Sequence, residues 1–279
     1  MIDKTMNFYW GNTPMSYMRF LTLKSFRHHN PDWKINLHQP EIACPPKDVA
    51  IKEREDYNYT GTDYREYVSG LDISSLTWDA PIPRIAAAQA SDLFQWQLLG
   101  NEGGFYSDMD ILYVRPLEEI YGTVQKSDAI FCLEGGGMAI GFFASTPHCS
   151  LFNDIYKKAI ELYKKESYQC TGVEAIYYLS GLMTRGKKIP DGLKTVRALK
   201  SLYPTVHINL IPGEAIYLYD WIDYKRYFTL AETLPNVCVG IHWFGGGSLS
   251  QEWNNKLTPS LVNTTNNTFC NYARGCNDI

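Results

Sequence analysis

Residues 103–114, GGFYSDMDILYV, place two aspartates, Asp108 and Asp110, between a glycine pair and an apolar run. In an extended strand alternate side chains share a face, so both carboxylates would point the same way. Two like charges held this close repel each other unless a cation or a hydrogen-bond network compensates them. A solvated turn is the usual structure of an arbitrary Asp-x-Asp triplet, so the rest of the chain has to decide between a turn and a ligand site.

Strand-like and helix-like patterns alternate along the chain on both sides of this stretch. Strands are predicted at residues 6–11, 33–38 and 129–134, and helices at residues 15–29, 84–100 and 150–165. Such alternation predicts an α/β fold with a mostly parallel central sheet flanked by helices, and ligands at the carboxyl ends of the strands.

The length of 279 residues suits one large domain. We predict that this domain spans residues 1–257. Residues 40–80 are polar and rich in tyrosine, and we expect them to form an irregular excursion from the core. Residues 258–279 show little apolar periodicity, which predicts a loosely held C-terminal tail.

Composition and charge limit the possible partners. The net charge of −4 gives no general attraction to nucleic acid or to an anionic membrane. We see no signal segment at the N-terminus and no apolar run long enough for a transmembrane helix. The seven cysteines are odd in number and scattered, so we expect reduced thiols rather than a disulfide framework or a zinc site. These features predict a soluble, cytoplasmic protein, with peripheral membrane attachment left open.

The predicted helix before the aspartates carries an acidic residue on an apolar stripe. That stripe consists of Ile85, Ala88, Asp92, Trp96 and Leu99. A carboxylate there is costly to bury without a partner. Two interpretations stay open for Asp92: a local cap or salt bridge, for example with Arg84, or an inward carboxylate that binds a ligand hydroxyl.

Residues 86–117, AAAQASDLFQWQLLGNEGGFYSDMDILYVRPL, resemble the nucleotide-sugar-binding core of glycosyltransferase family thirty-two, whose sugar-binding region contains a D-x-D motif. They are similar also to the glucosyltransferase domain of large clostridial toxins. The resemblance continues in the same order through NFYWG at residues 7–11, NPDW at 30–33, Thr171-Gly172 and IHWFGGGS at 241–248. It implies a GT-A (Rossmann-like) fold.

The resemblance also implies roles for individual residues on the donor. Asp92 and Asp108 would be the catalytic residues, with Asp92 bonded to the donor sugar and Asp108 to its ribose or sugar. Trp10 would stack on the base, and Ser248 would touch the diphosphate. This chain departs from the family pattern at Gln95, where the toxins have an arginine, and at Leu249, where the family has a tryptophan. Trp243 or Trp253 would have to supply that missing ring.

A metal site follows from the same resemblance. Asp110 would bind a divalent ion that bridges the diphosphate, His242 would be a C-terminal ligand, and Asp108 would complete the site. Mn²⁺ is the expected cofactor, with Mg²⁺ as the alternative. A hard dication would neutralise the charge that develops on a leaving diphosphate, whereas unshielded aspartates would repel it.

The predicted function is therefore a metal-dependent hexosyltransferase that uses a nucleotide-sugar, most simply a UDP-sugar. The acceptor would be a hydroxyl of a glycan or similar molecule, the resemblance implies retention of configuration, and cell-surface polysaccharide synthesis is the expected setting. Two alternatives stay open, namely an aspartate-nucleophile phosphatase and a non-catalytic carbohydrate-binding protein. The first needs a later lysine and an acidic pair, and the second has no use for a metal pair.

Overall fold

The computed structural model describes residues 1–44, 59–165, 167–183 and 190–276. In these residues the strands are β1 (Thr5–Tyr9), β2 (Lys34–Gln39), β3 (Ser74–Thr77), β4 (Gly104–Ser107), β5 (Ile111–Tyr113), β6 (Ala129–Phe131), β7 (Leu133–Glu134), β8 (Gly137–Met138), β9 (Phe142–Ser145), β10 (Ile208–Leu210) and β11 (Gly240–His242). The α-helices are α1 (Tyr17–His29), α2 (Ala87–Asn101), α3 (Glu118–Val124), α4 (Ser150–Leu162), α5 (Val173–Leu179), α6 (Gly192–Leu202), α7 (Arg226–Thr229), α8 (Ser248–Lys256), α9 (Pro259–Thr264) and α10 (Thr268–Arg274). Two short 3₁₀ segments lie at Tyr64–Leu71 and Gly213–Ala215.

Seven strands form the central sheet in the order β10-β6-β9-β4-β1-β2-β3. Four of the neighbouring pairs are parallel, while β9 runs antiparallel to both β4 and β6. The predicted α/β class, with a mostly parallel sheet flanked by helices, is confirmed.

Side chains of successive strand residues enter different cores on the two faces of the sheet. In β1, Phe8 packs with α1 and α8 residues on one face, whereas Tyr9 packs with α2 residues on the other. The pairs Phe105–Tyr106 and Phe142–Phe143 divide in the same way. Both faces of these strands are therefore buried, which explains their near-continuous apolar sequence.

The two aspartates lie in a turn and not in a continuous strand. β4 ends at Ser107 and β5 begins at Ile111, so Asp108 and Asp110 occupy the connection. β5 then leaves the central sheet and pairs with β11 in a separate two-stranded sheet. The extended geometry considered for this stretch is wrong, because the chain has to change sheets here.

Of the predicted tail, the described residues 258–276 are not loosely held, and for them the prediction is wrong. α9 and α10 are capped by the side chains of Thr258 and Asn267. Val262, Phe269 and Cys270 are fully buried in the same core as α1. Few apolar residues suffice here because almost all of them point inward. A domain end at residue 257 stays a prediction.

Residues 40–80 are only partly irregular. Ser74–Thr77 form β3, which pairs with β2 as the edge of the central sheet. Residues 45–58 of the predicted excursion lie outside the described residues. All seven cysteines are free and buried. Among the described residues, no helix has the length and apolar character that crossing a membrane requires.

Candidate metal and donor site

Asp108, Asp110 and His242 converge although they are far apart in the sequence. One ligand atom from each lies within 4.8 Å of the others. Asp110 Oδ1 is 3.3 Å from His242 Nε2, and Asp108 Oδ2 is 3.9 Å from the same nitrogen. The pairing of β5 with β11 brings them together, because it sets His242 opposite Ile111 at the end of the aspartate turn.

Asp110 is held rigidly at the base of this cluster. Its Oδ2 accepts a 2.6 Å hydrogen bond from the Gly245 N–H and lies 3.9 Å from the Arg19 guanidinium. The residue is only 9% exposed. Burial would raise the pKa of the Asp110 carboxyl, but His242, Arg19 and the Gly245 N–H outweigh it and hold that pKa below its usual range. Asp110 is therefore an ionised carboxylate with a fixed orientation.

His242 is fixed between two aromatic rings. Its ring centroid lies 4.8 Å from that of Tyr217 and 4.4 Å from that of Phe244. Burial would lower the pKa of His242, but Asp110 and Asp108 raise that pKa to about 10. The two carboxylates thus attract a positive charge to this point, which either an imidazolium or a bound cation can supply.

The donor set fits a hard or borderline divalent ion. Two carboxylate groups and one imidazole converge, and oxygen with imidazole ligands suits Mn²⁺ and, less well, Mg²⁺. The Asp108 side chain is 34% exposed, which leaves that edge of the cluster accessible to a substrate.

Tyr106 orients Asp108, and the sequence analysis missed it. Its hydroxyl donates a 2.8 Å hydrogen bond to Asp108 Oδ1 and lies 2.6 Å from Ser91 Oγ on α2. The only signal available is their spacing: Tyr106 and Asp108 are two positions apart, and side chains two positions apart in a strand point to the same face. A connected network thus runs from α2 to the cluster.

Gly141 is a second residue that the sequence analysis missed. A Cβ at this position would lie 2.7 Å from Asp108 Oδ2, 2.7 Å from Tyr217 Oη and 3.1 Å from His242 Nε2. Its N–H donates a 3.0 Å hydrogen bond to Tyr217 Oη, and its carbonyl accepts one of 2.8 Å from the Asp108 N–H. Only glycine lets the backbone approach the cluster this closely.

The structure brings Asp92 together with the Thr171-Gly172 pair. Thr171 Oγ1 donates a 2.9 Å hydrogen bond to Asp92 Oδ2, and Gln95 Nε2 lies 3.5 Å from Oδ1. Asp92 is half-buried. Its position next to Ser91 places it beside the network that reaches Asp108. Its role toward a sugar stays a prediction.

Trp10 is more enclosed than a base-stacking role suggests. It is 8% exposed, and its indole N–H donates a 2.7 Å hydrogen bond to the Thr13 carbonyl. The Arg19 guanidinium lies 5.6 Å from the Trp10 ring and 4.6 Å from the Trp243 ring. Trp243 is fully buried, and Trp253 stacks on Phe228 in the core. Base stacking by Trp10 stays a prediction.

Ser248 begins α8, directly after three glycines, and is exposed. Free N–H groups at a helix N-terminus favour an anion such as phosphate. The Gly245 N–H of the same loop bonds to Asp110, so this N-terminus adjoins the group formed by Asp108, Asp110 and His242. A cavity of about 310 Å³ opens here, lined by Trp221, Ile222, Tyr224, Lys225, Gly247 and Ser248.

The triple glycine at residues 135–137 forms the tight turn between β7 and β8. Gly135 and Gly136 have φ of 53° and 88°, values that glycine adopts readily. These glycines therefore form a turn between the two short strands.

Comparison with protein families identifies one match. Residues 19–126 match the family described as "Glycosyltransferase sugar-binding region containing DXD motif". The matched segment contains α1, α2 and the aspartate turn, but not His242 or α8. No curated protein shows significant similarity to the chain.

Solved structures show a distant likeness. The PaToxG glycosyltransferase has 16% identity and a TM-score of 0.43, over 73% of this chain and 70% of that chain. The apo-form glycosyltransferase GlyE of Streptococcus pneumoniae TIGR4 has 14% identity and a TM-score of 0.48, over 94% of this chain. This chain spans 62% of the GlyE chain.

A third likeness is to the galactosyltransferase LgtC, solved in complex with donor and acceptor sugar analogs. It has 12% identity and a TM-score of 0.45, over 97% of this chain and 95% of that chain. The seven-stranded sheet and the family match agree with the GT-A fold predicted from the sequence. Residues 19–126, less than half of the chain, are therefore similar to the glycosyltransferases whose sugar-binding region contains a DXD motif.

Proposed function

We propose that this protein is a glycosyltransferase that requires a divalent metal and moves a sugar from a UDP-sugar to a hydroxyl of a glycan acceptor, with retention of configuration. Its setting would be the synthesis of a glycan or a cell-surface polysaccharide. The observation that carries the metal dependence is the convergence of Asp108, Asp110 and His242 within 4.8 Å. The choice of UDP and the retention rest on the family resemblance.

In the proposed reaction, the residues of the protein would hold and position the leaving diphosphate. Asp110 and His242 would hold the ion from below, and Asp108 would hold it from the exposed edge. When bound, the ion neutralises negative charge that develops on the leaving diphosphate. The N-terminus of α8 and Ser248 adjoin the cluster, so their N–H and O–H groups would bind a phosphate oxygen.

Asp92 and Asp108 would act on the sugar itself. The transition state of glycosyl transfer resembles an oxocarbenium ion, which a nearby carboxylate stabilises. Asp108 has an exposed edge while Tyr106 fixes its orientation. Asp92 keeps its position through Thr171 and would accept a hydrogen bond from a hydroxyl of the donor sugar.

Arg19 would support the site rather than bind substrate. It lies between the rings of Trp10 and Trp243 and 3.9 Å from Asp110 Oδ2. A guanidinium stacked in this way stays in place and compensates part of the negative charge of Asp110. Mn²⁺ should support higher activity than Mg²⁺, since an imidazole ligand suits manganese better.

The test is donor turnover with and without metal. UDP-glucose, UDP-galactose, UDP-N-acetylglucosamine and GDP-mannose are incubated with the protein in Mn²⁺, in Mg²⁺ or in EDTA, and release of the nucleoside diphosphate is measured. Asp110→Asn should lower turnover by roughly 10²–10³, the usual effect of losing charge stabilisation in an active site. Asp32→Asn removes a carboxylate that pairs with Lys4 on the surface, and should behave like the wild type.

Full turnover in EDTA, or an Asp110→Asn variant as active as Asp32→Asn, would overturn the metal dependence. Thermal shift with UDP adds a measurement that does not depend on the acceptor, because ligand binding to the native state raises Tm. Stabilisation by phosphomonoesters alone would favour the phosphatase alternative, and stabilisation by free glycan alone would favour the carbohydrate-binding alternative.

A further inference from the structure

Three side chains with metal-ligand atoms meet at the end of α1 remote from the active site. His28 and His29 are the last two residues of α1, and Cys276 follows α10. One ligand atom from each lies within 4.8 Å of the others. We refer to these three residues as the His-His-Cys cluster. None of them takes part in the function proposed above.

The spacing of the ligand atoms is close to that of a tetrahedral zinc site. Zn²⁺ binds sulfur at about 2.3 Å and imidazole nitrogen at about 2.0–2.1 Å, so adjacent ligand atoms lie roughly 3.4–3.6 Å apart. Cys276 Sγ and His29 Nε2 are 3.9 Å apart. The two imidazole rings lie 4.7 Å apart between centroids, at 76° to each other. Binding an ion would draw these ligand atoms closer together than they are here.

The surroundings of the cluster suit a bound cation. Carbonyl groups at the C-terminus of a helix carry partial negative charge, and the two histidines occupy the last turn of α1. Cys276 is fully buried, His29 is half-buried and His28 is exposed. An ion can therefore arrive from the solvent side at His28, with water left as its fourth ligand.

Ligand softness separates this cluster from the one in the active site. A thiolate with two imidazoles selects zinc over manganese or magnesium, whereas two carboxylates with one imidazole suit manganese. The two clusters lie at opposite ends of α1, since Arg19 near its N-terminus faces Asp110. Arg19 and His28 are nine residue rises apart along the helix, which is about 14 Å.

We propose that the His-His-Cys cluster binds one Zn²⁺, and that this ion ties the C-terminal end of α10 to α1. The residues joined are 247 positions apart in the sequence, so the ion would cross-link two ends of the chain. Such a link would stabilise the core that α1 shares with α10, because zinc that binds only the folded state adds its binding free energy to folding.

The experiment uses Co²⁺ as the probe, because thiolate ligation of cobalt produces an absorption band that carboxylate and imidazole ligation do not. The protein is stripped with a chelator, reduced and titrated with Co²⁺, and Zn²⁺ is then added to displace it. Both the wild type and Asp110→Asn should show the thiolate band with one equivalent of cobalt. Asp110→Asn disrupts only the cluster in the active site and leaves the His-His-Cys cluster intact. Zn²⁺ should abolish the band and raise Tm.

His28→Ala and Cys276→Ser are the informative variants. Cys276→Ser should lose the band, and His28→Ala should bind at least about tenfold more weakly, the loss that even outer partners of metal ligands cause. His207→Ala and Cys149→Ser are matched controls, an exposed histidine and a buried free cysteine outside the cluster. Both should titrate like the wild type.

The absence of the thiolate band in wild type, or equal cobalt affinity in His28→Ala and His207→Ala, would overturn the proposal. His28 is exposed, so its variant keeps the fold and decides the question even where Cys276→Ser fails to fold. The readout needs no donor or acceptor and is independent of the proposed transferase chemistry.

Discussion

The Tyr106 hydroxyl donates a 2.8 Å hydrogen bond to Oδ1 of Asp108. The same hydroxyl lies 2.6 Å from Ser91 Oγ, so one aspartate of the DXD turn is tied to helix α2. This arrangement leaves Oδ2 of Asp108 facing His242 Nε2 at 3.9 Å. A partner of this kind fixes the orientation of a metal-binding carboxylate before the ligand arrives.

Tyr106→Phe tests that orientation. The variant keeps the ring in the core but removes the hydrogen bond, so kcat should fall by about ten- to hundredfold through loosened positioning of Asp108. The cost in stability should be about 1 kcal/mol. Tyr121→Phe is the control, because it also removes a buried hydroxyl, which donates a 2.7 Å hydrogen bond to the Ile2 carbonyl away from the site. Equal kcat in the two variants would contradict the role given to Tyr106.

Gly141→Ala tests the close backbone approach. The new methyl group would sit 2.7 Å from both Asp108 Oδ2 and Tyr217 Oη, so the carboxylate has to move. Displacing a catalytic group by about 1 Å can cost on the order of 10²-fold in rate, and we expect a loss of that size in donor turnover. Gly122→Ala in α3 meets nothing within 4 Å and should keep full turnover. An active Gly141→Ala variant would show that the site tolerates a shifted Asp108.

Asp92→Asn separates a sugar ligand from a structural partner. The amide oxygen can still accept from Thr171 Oγ1, so Tm should stay close to the wild-type value. Losing a charged acceptor for a sugar hydroxyl should lower kcat/KM by roughly ten- to hundredfold, from the 1.5–3 kcal/mol typical of such bonds. Asp154→Asn on α4 serves as the control for loss of a carboxylate. A variant that melts much earlier yet keeps full specific activity would make Asp92 structural.

His38 should make the fold sensitive to acid. It is 6% exposed and its Nε2–H donates to Asn7 Oδ1 at 3.1 Å. Burial, with a smaller effect of Lys34, lowers the pKa of His38 from 6.5 to about 4. Protons therefore bind the unfolded chain first as the pH falls. The contribution of His38 to stability is complete above pH 6.5 and is lost as the pH falls through about 4.

The expected loss in the free energy of unfolding is about 3 kcal/mol across that range. The free energy of unfolding is measured by urea unfolding in EDTA at pH 6.5 and at about pH 4. His38→Gln keeps an N–H donor for Asn7 but cannot take up a proton, so its stability should fall less toward acid pH. Exposed His207→Gln is the control. The same acid dependence in His38→Gln and wild type would remove His38 as the cause.

Local patterns in the sequence were enough for the secondary structure near the site. The run at 15–29 became α1, the run at 84–100 became α2, and Gly103, with φ of 72°, follows the end of α2 as a terminator does. These features depend on residues within a few positions of each other, which is why periodicity and capping chemistry reveal them. The DXD triplet, and its order relative to the other motifs, could also be recognised from the sequence.

Contacts between segments that are distant in the sequence could not be predicted from local patterns. Tyr217 and Gly141 carry no local signal of their roles, because each is defined by what lies across the cluster from it. The sequence gives no signal that α10 is buried, since few apolar residues produce little periodicity even when almost all of them pack inward. The His-His-Cys cluster has no motif spacing, because its ligands come from opposite ends of the chain.

The sequence by itself therefore determined the alternation of strands and helices, the α/β class and the spacing of the two aspartates. Only the tertiary structure decided that β5 leaves the central sheet to pair with β11, and this pairing brings His242 within 3.3 Å of Asp110. The physical reason is the distance along the sequence over which each kind of interaction acts. Backbone propensity and side-chain periodicity act over a few residues, whereas a metal site needs ligands whose convergence depends on how the whole chain packs.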